Sequence, residues 1–305
     1  MRLVFAGTPS AAVPTLRRLA TEHEIVAVVT RPDAPLGRKR VLTPSPVAQA
    51  AEELGLSVIK AATLDAEATS AITALGAELG VIVAYGGLVR EPLLSAPAQG
   101  WINLHFSILP AWRGAAPVQR ALIAGDTELG ASVFQLVPAL DAGDVFAART
   151  VEIGGEATAD AALEALAVDG AELTAEVVTG IADGTARALP QEGEPTLAPK
   201  LTLDDGLLDW NEPLDRVFAR FRGVTPEPGA HTLFDGQRLK ILAALPSSEP
   251  PLAPGEISAT KTAVLIGTGS SPLAVTRVQP AGKGAMNAVD WWRGQRGTEG
   301  LRAGA

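Results

Sequence analysis

The 305-residue chain has no cysteine, one tyrosine, two methionines and three histidines. Without cysteine there can be no disulfide framework, thiolate nucleophile or cysteine-ligated metal. His23, His105 and His231 lie far apart, so no histidine metal site is expected. No run approaches the roughly 20 apolar residues of a membrane span. Met1–Gly7 is too short and too soon broken for a signal peptide. The expectation is a soluble, cytoplasmic protein with no membrane partner. Neither G-x-S-x-G nor G-x-G-x-x-G occurs. The first absence leaves covalent acyl-enzyme chemistry without a nucleophile motif. The second argues against NAD, because Gly7-Thr8-Pro9-Ser10 lacks the fingerprint and Pro9 has no backbone donor for a phosphate.

Bases are outnumbered by acids, and the net charge of −9 argues against broad nucleic-acid binding. The imbalance is uneven. Residues 216–305 carry 11 Lys and Arg against six Asp and Glu. Such a segment is either ordinary surface scatter or a surface that faces a polyanion.

The chain begins β-α-β. Leu3–Phe5 is apolar, residues 10–20 read as a helix with Ser10 at its N-cap, and Ile25–Val29 is β-branched. This start implies a parallel, Rossmann-like α/β sheet. Further strands are read at Ser57–Ile59, Leu79–Ala84, Ala131–Val137 and Val145–Val151. Helices are read at Val47–Leu54, 65–76, 116–124 and 158–182. From 183 to 205 the pattern breaks down around Pro190, Pro195 and Pro199 and reads as a linker. After a helix at Glu212–Phe221, short apolar runs at 231–234, 239–244, 256–258, 263–266 and 273–278 indicate a small antiparallel β-domain or barrel. The expected division is 1–182, a linker at 183–205, and 206–305.

Three stretches carry polar groups suited to chemistry. Trp101–His105 is an apolar strand in which Asn103 and His105 point to one face. At the carboxyl end of such a strand ligands are expected. His105 can serve as acid, base or oxyanion partner, and Asn103 can donate to an oxyanion. Asp141, in Asp141-Ala142-Gly143-Asp144, can orient His105 or raise its pKa. Together they suit direct acyl transfer through a tetrahedral intermediate. They equally suit a satisfied structural histidine and a turn-forming asparagine. Tyr85-Gly86-Gly87-Leu88 ends another strand, either for close approach to a flat ligand or as a tight turn. The loop from Thr30 to Pro46 holds Arg38-Lys39-Arg40, either solvated or in contact with phosphates.

Asn103-Leu104-His105-Phe106-Ser107-Ile108-Leu109-Pro110 and Trp112-Arg113-Gly114-Ala115-Ala116-Pro117 resemble the signature of the 10-formyltetrahydrofolate-dependent formyltransferases. Asp141–Asp144 is similar to their downstream acidic loop. Phe5–Pro9, the Arg31–Pro46 loop and Val278–Met286 resemble the branch of that family acting on initiator methionyl-tRNA. The resemblance implies a Rossmann-like formyltransferase domain followed by an OB-like β-barrel. It implies that the chain moves a formyl group from 10-formyltetrahydrofolate to the α-amine of initiator methionyl-tRNA, for translation initiation; a monomer is expected. By position it makes Asn103, His105 and Asp141 the catalytic trio. Tyr85, Gly86, Gly87, Leu88, Ser107, Ile108, Leu109, Pro110 and Asp144 would bind the folate. Arg38, Lys39, Arg40 and Lys200 would meet the tRNA, together with Arg216, Arg220, Arg222, Arg238, Lys240, Lys283, Arg293 and Arg296. Neither a metal nor NAD is implied. Ile108 replaces the family's usual Leu, Phe106 a common Gly, and Ala111 a cation. Two other readings are a formyltransferase for a sugar nucleotide or other small amine, and a non-catalytic tRNA- or folate-binding module.

Overall fold

The computed structural model describes residues 1–37, 40–295 and 302–304. Arg38, Lys39 and Arg296 lie outside the described residues. The apolar start of the chain forms β1 (Arg2–Gly7), buried from its second residue onward. Ser10–Ala12 then make a 3₁₀ turn, and α1 (Val13–Ala20) follows with Ala12, not Ser10, at its N-cap. Pro14 in the first helical turn has no N–H to satisfy, so a side-chain cap matters less there. After β2 (Glu24–Thr30), the loop from residue 31 contains a small antiparallel ladder of β3 (Ala34–Leu36) and β4 (Val41–Thr43). Ser45 caps α2 (Pro46–Glu53) by accepting from Ala48 N at 3.0 Å. The order continues with β5 (Val58–Lys60), α3 (Ala66–Ala74), β6 (Leu79–Val83), β7 (Trp101–His105), α4 (Pro117–Ala124), β8 (Glu128–Gln135), β9 (Val145–Glu152) and α5 (Ala159–Asp183).

Contacts divide the chain into two units. The first comprises Met1–Pro117, Glu128–Glu152 and Leu163–Ala198; the second comprises Val118–Thr127, Ile153–Ala162 and Pro199–Ala305. Residues 183–198 therefore fall in the first unit.

The first unit is a seven-stranded sheet in the order β5-β2-β1-β6-β7-β8-β9. The strands from β5 to β7 pair in parallel, while β8 and β9 pair antiparallel. It is the Rossmann-like α/β sheet expected. β7 lies between a parallel and an antiparallel neighbour, and its position is set by two close approaches. A Cβ on Gly80 would stand 2.1 Å from the Trp101 ring, and one on Gly170 of α5 would stand 2.9 Å from Leu104. Both glycines let larger side chains of β7 fill the space beside them. Trp101 is fully buried and donates Nε1–H to Leu93 O at 2.9 Å.

The second unit contains α6 (Leu214–Val224), β10 (His231–Phe234), β11 (Gln237–Pro246), β12 (Ile257–Ala259), β13 (Val264–Ile266), β14 (Leu273–Pro280), β15 (Met286–Asn287) and α7 (Ala288–Arg293). Its antiparallel, OB-like sheet runs β10-β11-β14-β13-β12, with β15 beside β14. Ala303 makes an isolated bridge with Phe234 of β10, and Arg302 makes one with Glu256 just before β12. Trp210, Phe218, Phe221, Phe234 and Trp291 centre its core. No helix among the described residues is long and apolar enough to cross a membrane.

Candidate active site

β7 carries Asn103 and His105 to the carboxyl end of the first unit's sheet, where His105 pairs across from Ser132 of β8. His105 is only 6% exposed and meets Phe134 edge-on, with ring centroids 6.4 Å apart. Its Nε2 lies 2.8 Å from the carbonyl oxygen of Trp112. A carbonyl only accepts, so Nε2 carries the hydrogen. In the neutral ring Nδ1 then holds the lone pair, and it faces Asp141 Oδ2 at 3.9 Å. That distance exceeds a direct hydrogen bond. Asp141 Oδ2 instead accepts from Gly114 N at 2.8 Å.

Burial pushes the His105 imidazole below its ordinary pKa of 6.5; Asp141 and the Trp112 carbonyl pull it up but do not offset the burial. The expectation that Asp141 raises this pKa thus describes one contribution whose effect is outweighed. A nearly water-free ring loses more hydration on protonation than a carboxylate 3.9 Å away returns.

Two segments hold the pair in place. The first is the turn after β7. Ser107 Oγ donates to Ala111 O at 2.6 Å, and the buried Ser132 Oγ donates to Ser107 O at 2.8 Å while accepting from Leu109 N at 3.1 Å. The second is Trp112–Gly114. Trp112 has φ +62° and Asp141 has φ +45°. Left-handed backbone at a non-glycine residue costs of order 1–3 kcal/mol and persists only where its surroundings fix it. At Gly114 (φ +128°) a Cβ would also stand 2.7 Å from Ala198 O. Only glycine therefore presents its N–H to Asp141 here.

Tyr85 is buried in the core with its hydroxyl donating to Ala61 O at 3.0 Å, so only its backbone is left to face a ligand. Gly86 (φ +77°) and Gly87 turn the chain, and Leu88 is exposed. Ser107 and Leu109 are buried, Ile108 is exposed, and Pro110 follows a cis peptide. Asp144 is exposed, and its carbonyl accepts from Gln135 N at 2.8 Å. Arg40 is exposed beside the β3–β4 ladder. Lys200 is exposed in the second unit.

The cations of α6 make bonds inside the second unit. Arg216 donates to Ala124 O, Arg220 to Asp205 O and Arg222 to Ala157 O. Arg238 and Lys283 are exposed and make no ion pair among the described residues. Sequence reasoning missed Ser132, Thr196, Gln191 and the backbone groups of Trp112 and Gly114. Backbone groups leave no residue-type signal. Gln191 and Thr196 lie in a stretch whose prolines read as linker.

Asn103 Oδ1 is buried with no hydrogen-bond partner among the described residues. Among the described residues no group of three or more His, Asp or Glu is placed to hold a metal.

The Formyl transferase family matches residues 1–178, and the Formyl transferase C-terminal domain family matches residues 200–296. The chain is 62% identical over 296 residues to methionyl-tRNA formyltransferase of Clavibacter sepedonicus, covering 96% of this chain and 97% of that protein. It is 61% identical over 297 residues to methionyl-tRNA formyltransferase of Leifsonia xyli subsp. xyli, covering 97% and 98%. Among solved structures, the sugar 3N-formyl transferase WlaRD superposes with a TM-score of 0.69 at 12% identity, covering 93% of this chain and 98% of that one. At that identity the likeness speaks for the fold alone.

Proposed function

The chain belongs to the methionyl-tRNA formyltransferases, and from this premise we propose which of its residues carry the reaction. It transfers a formyl group from 10-formyltetrahydrofolate to the α-amino group of initiator methionyl-tRNA, for translation initiation. The observation that carries the assignment is the buried, neutral His105, whose Nε2–H is held by Trp112 O while Nδ1 looks across 3.9 Å at Asp141.

When bound, 10-formyltetrahydrofolate supplies the formyl carbon and the leaving nitrogen. The residues present fit such a ligand. Asn103 Oδ1 is a buried acceptor with no donor among the described residues, and the glycine turn after β6 offers backbone rather than bulk. Tyr85–Leu88, Ser107–Pro110 and Asp144 line the folate's place.

His105 Nδ1 takes the proton that the attacking amine loses as the new C–N bond forms. Asp141 then faces the imidazolium and stabilises it. The Asn103 amide donates to the formyl oxygen as charge gathers on it. His105 returns its proton to the nitrogen that departs as the old C–N bond breaks. No step requires a metal or a covalent enzyme intermediate.

The catalytic domain spans 1–182, the linker 183–205 and the OB-like domain 206–305. Arg38, Lys39, Arg40 and Lys200 meet the tRNA. The protein works as a monomer in the cytoplasm.

Formyl-methionine release after incubation with 10-formyltetrahydrofolate and methionyl-tRNA tests the activity, with an amino-sugar nucleotide as the alternative acceptor. Product only from the sugar would overturn the acceptor. His105→Ala is expected to lower kcat by about 10²–10⁴-fold with the fold and tRNA binding retained. Unaltered turnover would remove His105 from the mechanism.

A further inference from the structure

The stretch from Leu189 to Ala198 has no part in the reaction as assigned, yet it lies against both segments that hold the His105–Asp141 pair. Leu189 exchanges two backbone hydrogen bonds with Val145, at 2.8 and 2.9 Å. Thr196 Oγ1 accepts from Trp112 N at 2.8 Å, and Thr196 O accepts from Arg113 N at 2.8 Å. Ala198 N donates to Arg113 O at 2.7 Å.

Between these anchors a single side chain turns inward. Gln191 Nε2 donates to Asp141 O and to Gly143 O, each at 2.8 Å. Gln191 Oε1 accepts from Arg113 Nε at 3.1 Å and from Arg113 Nη2 at 2.6 Å. A carboxamide has two N–H donors and two lone pairs, and all four are engaged. The exposed neighbours Glu192, Gly193 and Glu194 have no such role.

The partners are specific to the chemistry. Arg113 stands between Trp112, whose carbonyl fixes His105 Nε2, and Gly114, whose N–H fixes Asp141 Oδ2. Asp141 and Gly143 belong to the loop that carries the carboxylate. Asp141 is left-handed at φ +45°, a conformation its surroundings must impose. Gly143 approaches so closely that a Cβ there would stand 1.8 Å from Gln135 O. The guanidinium polarises the amide and strengthens its two donors.

We infer that Gln191 is a positioning residue for formyl transfer, its carboxamide clamping the Asp141 loop to Arg113 and thereby setting the separation of Asp141 from His105. The inference rests on the assignment of His105 and Asp141 to the reaction. Without the amide, the Asp141 carbonyl loses its donor, the left-handed turn relaxes, and the carboxylate leaves its place opposite Nδ1. The imidazole then loses part of the upward pull on its pKa.

The test compares the intact protein with Gln191→Ala, Gln191→Glu and His105→Ala. Steady-state formylation of methionyl-tRNA across pH, binding of 5-formyltetrahydrofolate as a non-reacting probe, and ¹⁵N titration of the His105 ring are measured for each. Gln191→Ala is expected to lower kcat roughly 10- to 100-fold, the scale of a small misplacement of reacting groups. Probe affinity and KM for tRNA should stay within about twofold, the pattern of an interaction that matters only in the transition state. The acid limb of the rate profile and the His105 titration should both move to lower pH. Gln191→Glu keeps a partner for Arg113 but lacks the two donors, so its kcat should fall as far; it also carries the test if the alanine variant does not fold. A kcat for both variants within about twofold of the parent, with His105→Ala inactive, would overturn the clamp alone. A loss of kcat in folded variants with the His105 titration unmoved would also overturn it. Full activity in His105→Ala would remove the site assignment and the inference with it.

Discussion

His105 is held by one firm bond and one open gap, and each has a measurable consequence. The bond to Trp112 O fixes the tautomer, because a carbonyl accepts only from N–H. The gap to Asp141 leaves Nδ1 as the basic nitrogen. Burial keeps the ring neutral below pH 6.5, its ordinary value. The basic form therefore persists into mild acid, and the acid limb of kcat/KM for the free enzyme is expected below pH 6.5. Asp141→Asn removes the charge that pulls this pKa upward. It should lower kcat and move that limb further into acid, which a pH–rate profile would read; a limb moving toward neutral pH would contradict the assigned electrostatics. At Gly80 the constraint is steric. A Cβ 2.1 Å from the Trp101 ring cannot be accommodated without moving β7. Gly80→Ala is expected to cost about 1–3 kcal/mol in a denaturation experiment. Turnover should fall as well, since the same strand carries Asn103 and His105.

The elements around the site divide into those that deliver side chains and those that hold backbone. β7 delivers, while β8, its neighbour in the sheet, holds the turn that follows it through Ser132. The 3₁₀ turn and α1 replace the single helix expected over residues 10–20, because Pro14 accommodates a start without a capping side chain. The β3–β4 ladder pairs the two sides of the cationic loop and leaves Leu36, Val41 and Leu42 exposed. Replacing residues 34–43 by a short turn should raise KM for methionyl-tRNA strongly while leaving folate affinity unchanged. Equal loss of both would contradict a role confined to the tRNA. Arg38→Ala should act in the same direction and more weakly.

At the scale of the whole molecule, an acidic protein acts on a polyanion, so local cations must govern affinity. Two sets among the second unit's cations differ in what they bond. Arg216, Arg220 and Arg222 donate to backbone carbonyls within that unit. Arg238 and Lys283 are exposed without an ion pair among the described residues. Arg238→Glu and Lys283→Glu are expected to raise KM for the tRNA and to reduce its salt slope by roughly one for each phosphate no longer neutralised. Arg222→Ala should instead lower the melting temperature, because its carbonyl partner, Ala157 O, loses its donor. The opposite pattern would exchange the two roles.

The α/β order, the strands near 231–234, 239–244 and 273–278, and the pairing of Asn103 with His105 on one face were all legible in the chain, because side-chain period and β-branched runs are local properties. The family resemblance was also legible, since it rests on contiguous motifs. Tertiary structure alone decided which nitrogen of His105 is basic, because that depends on a carbonyl seven residues away whose direction φ +62° at Trp112 sets. Packing likewise turned Tyr85 inward, although its position beside two glycines suggested a ligand. It also brought Gln191, from a proline-bounded stretch, against a loop 50 residues earlier. Proline and glycine in sequence report that regular pairing stops. They carry no information on what the interrupted backbone is then bonded to, because those partners are distant and mostly main-chain atoms.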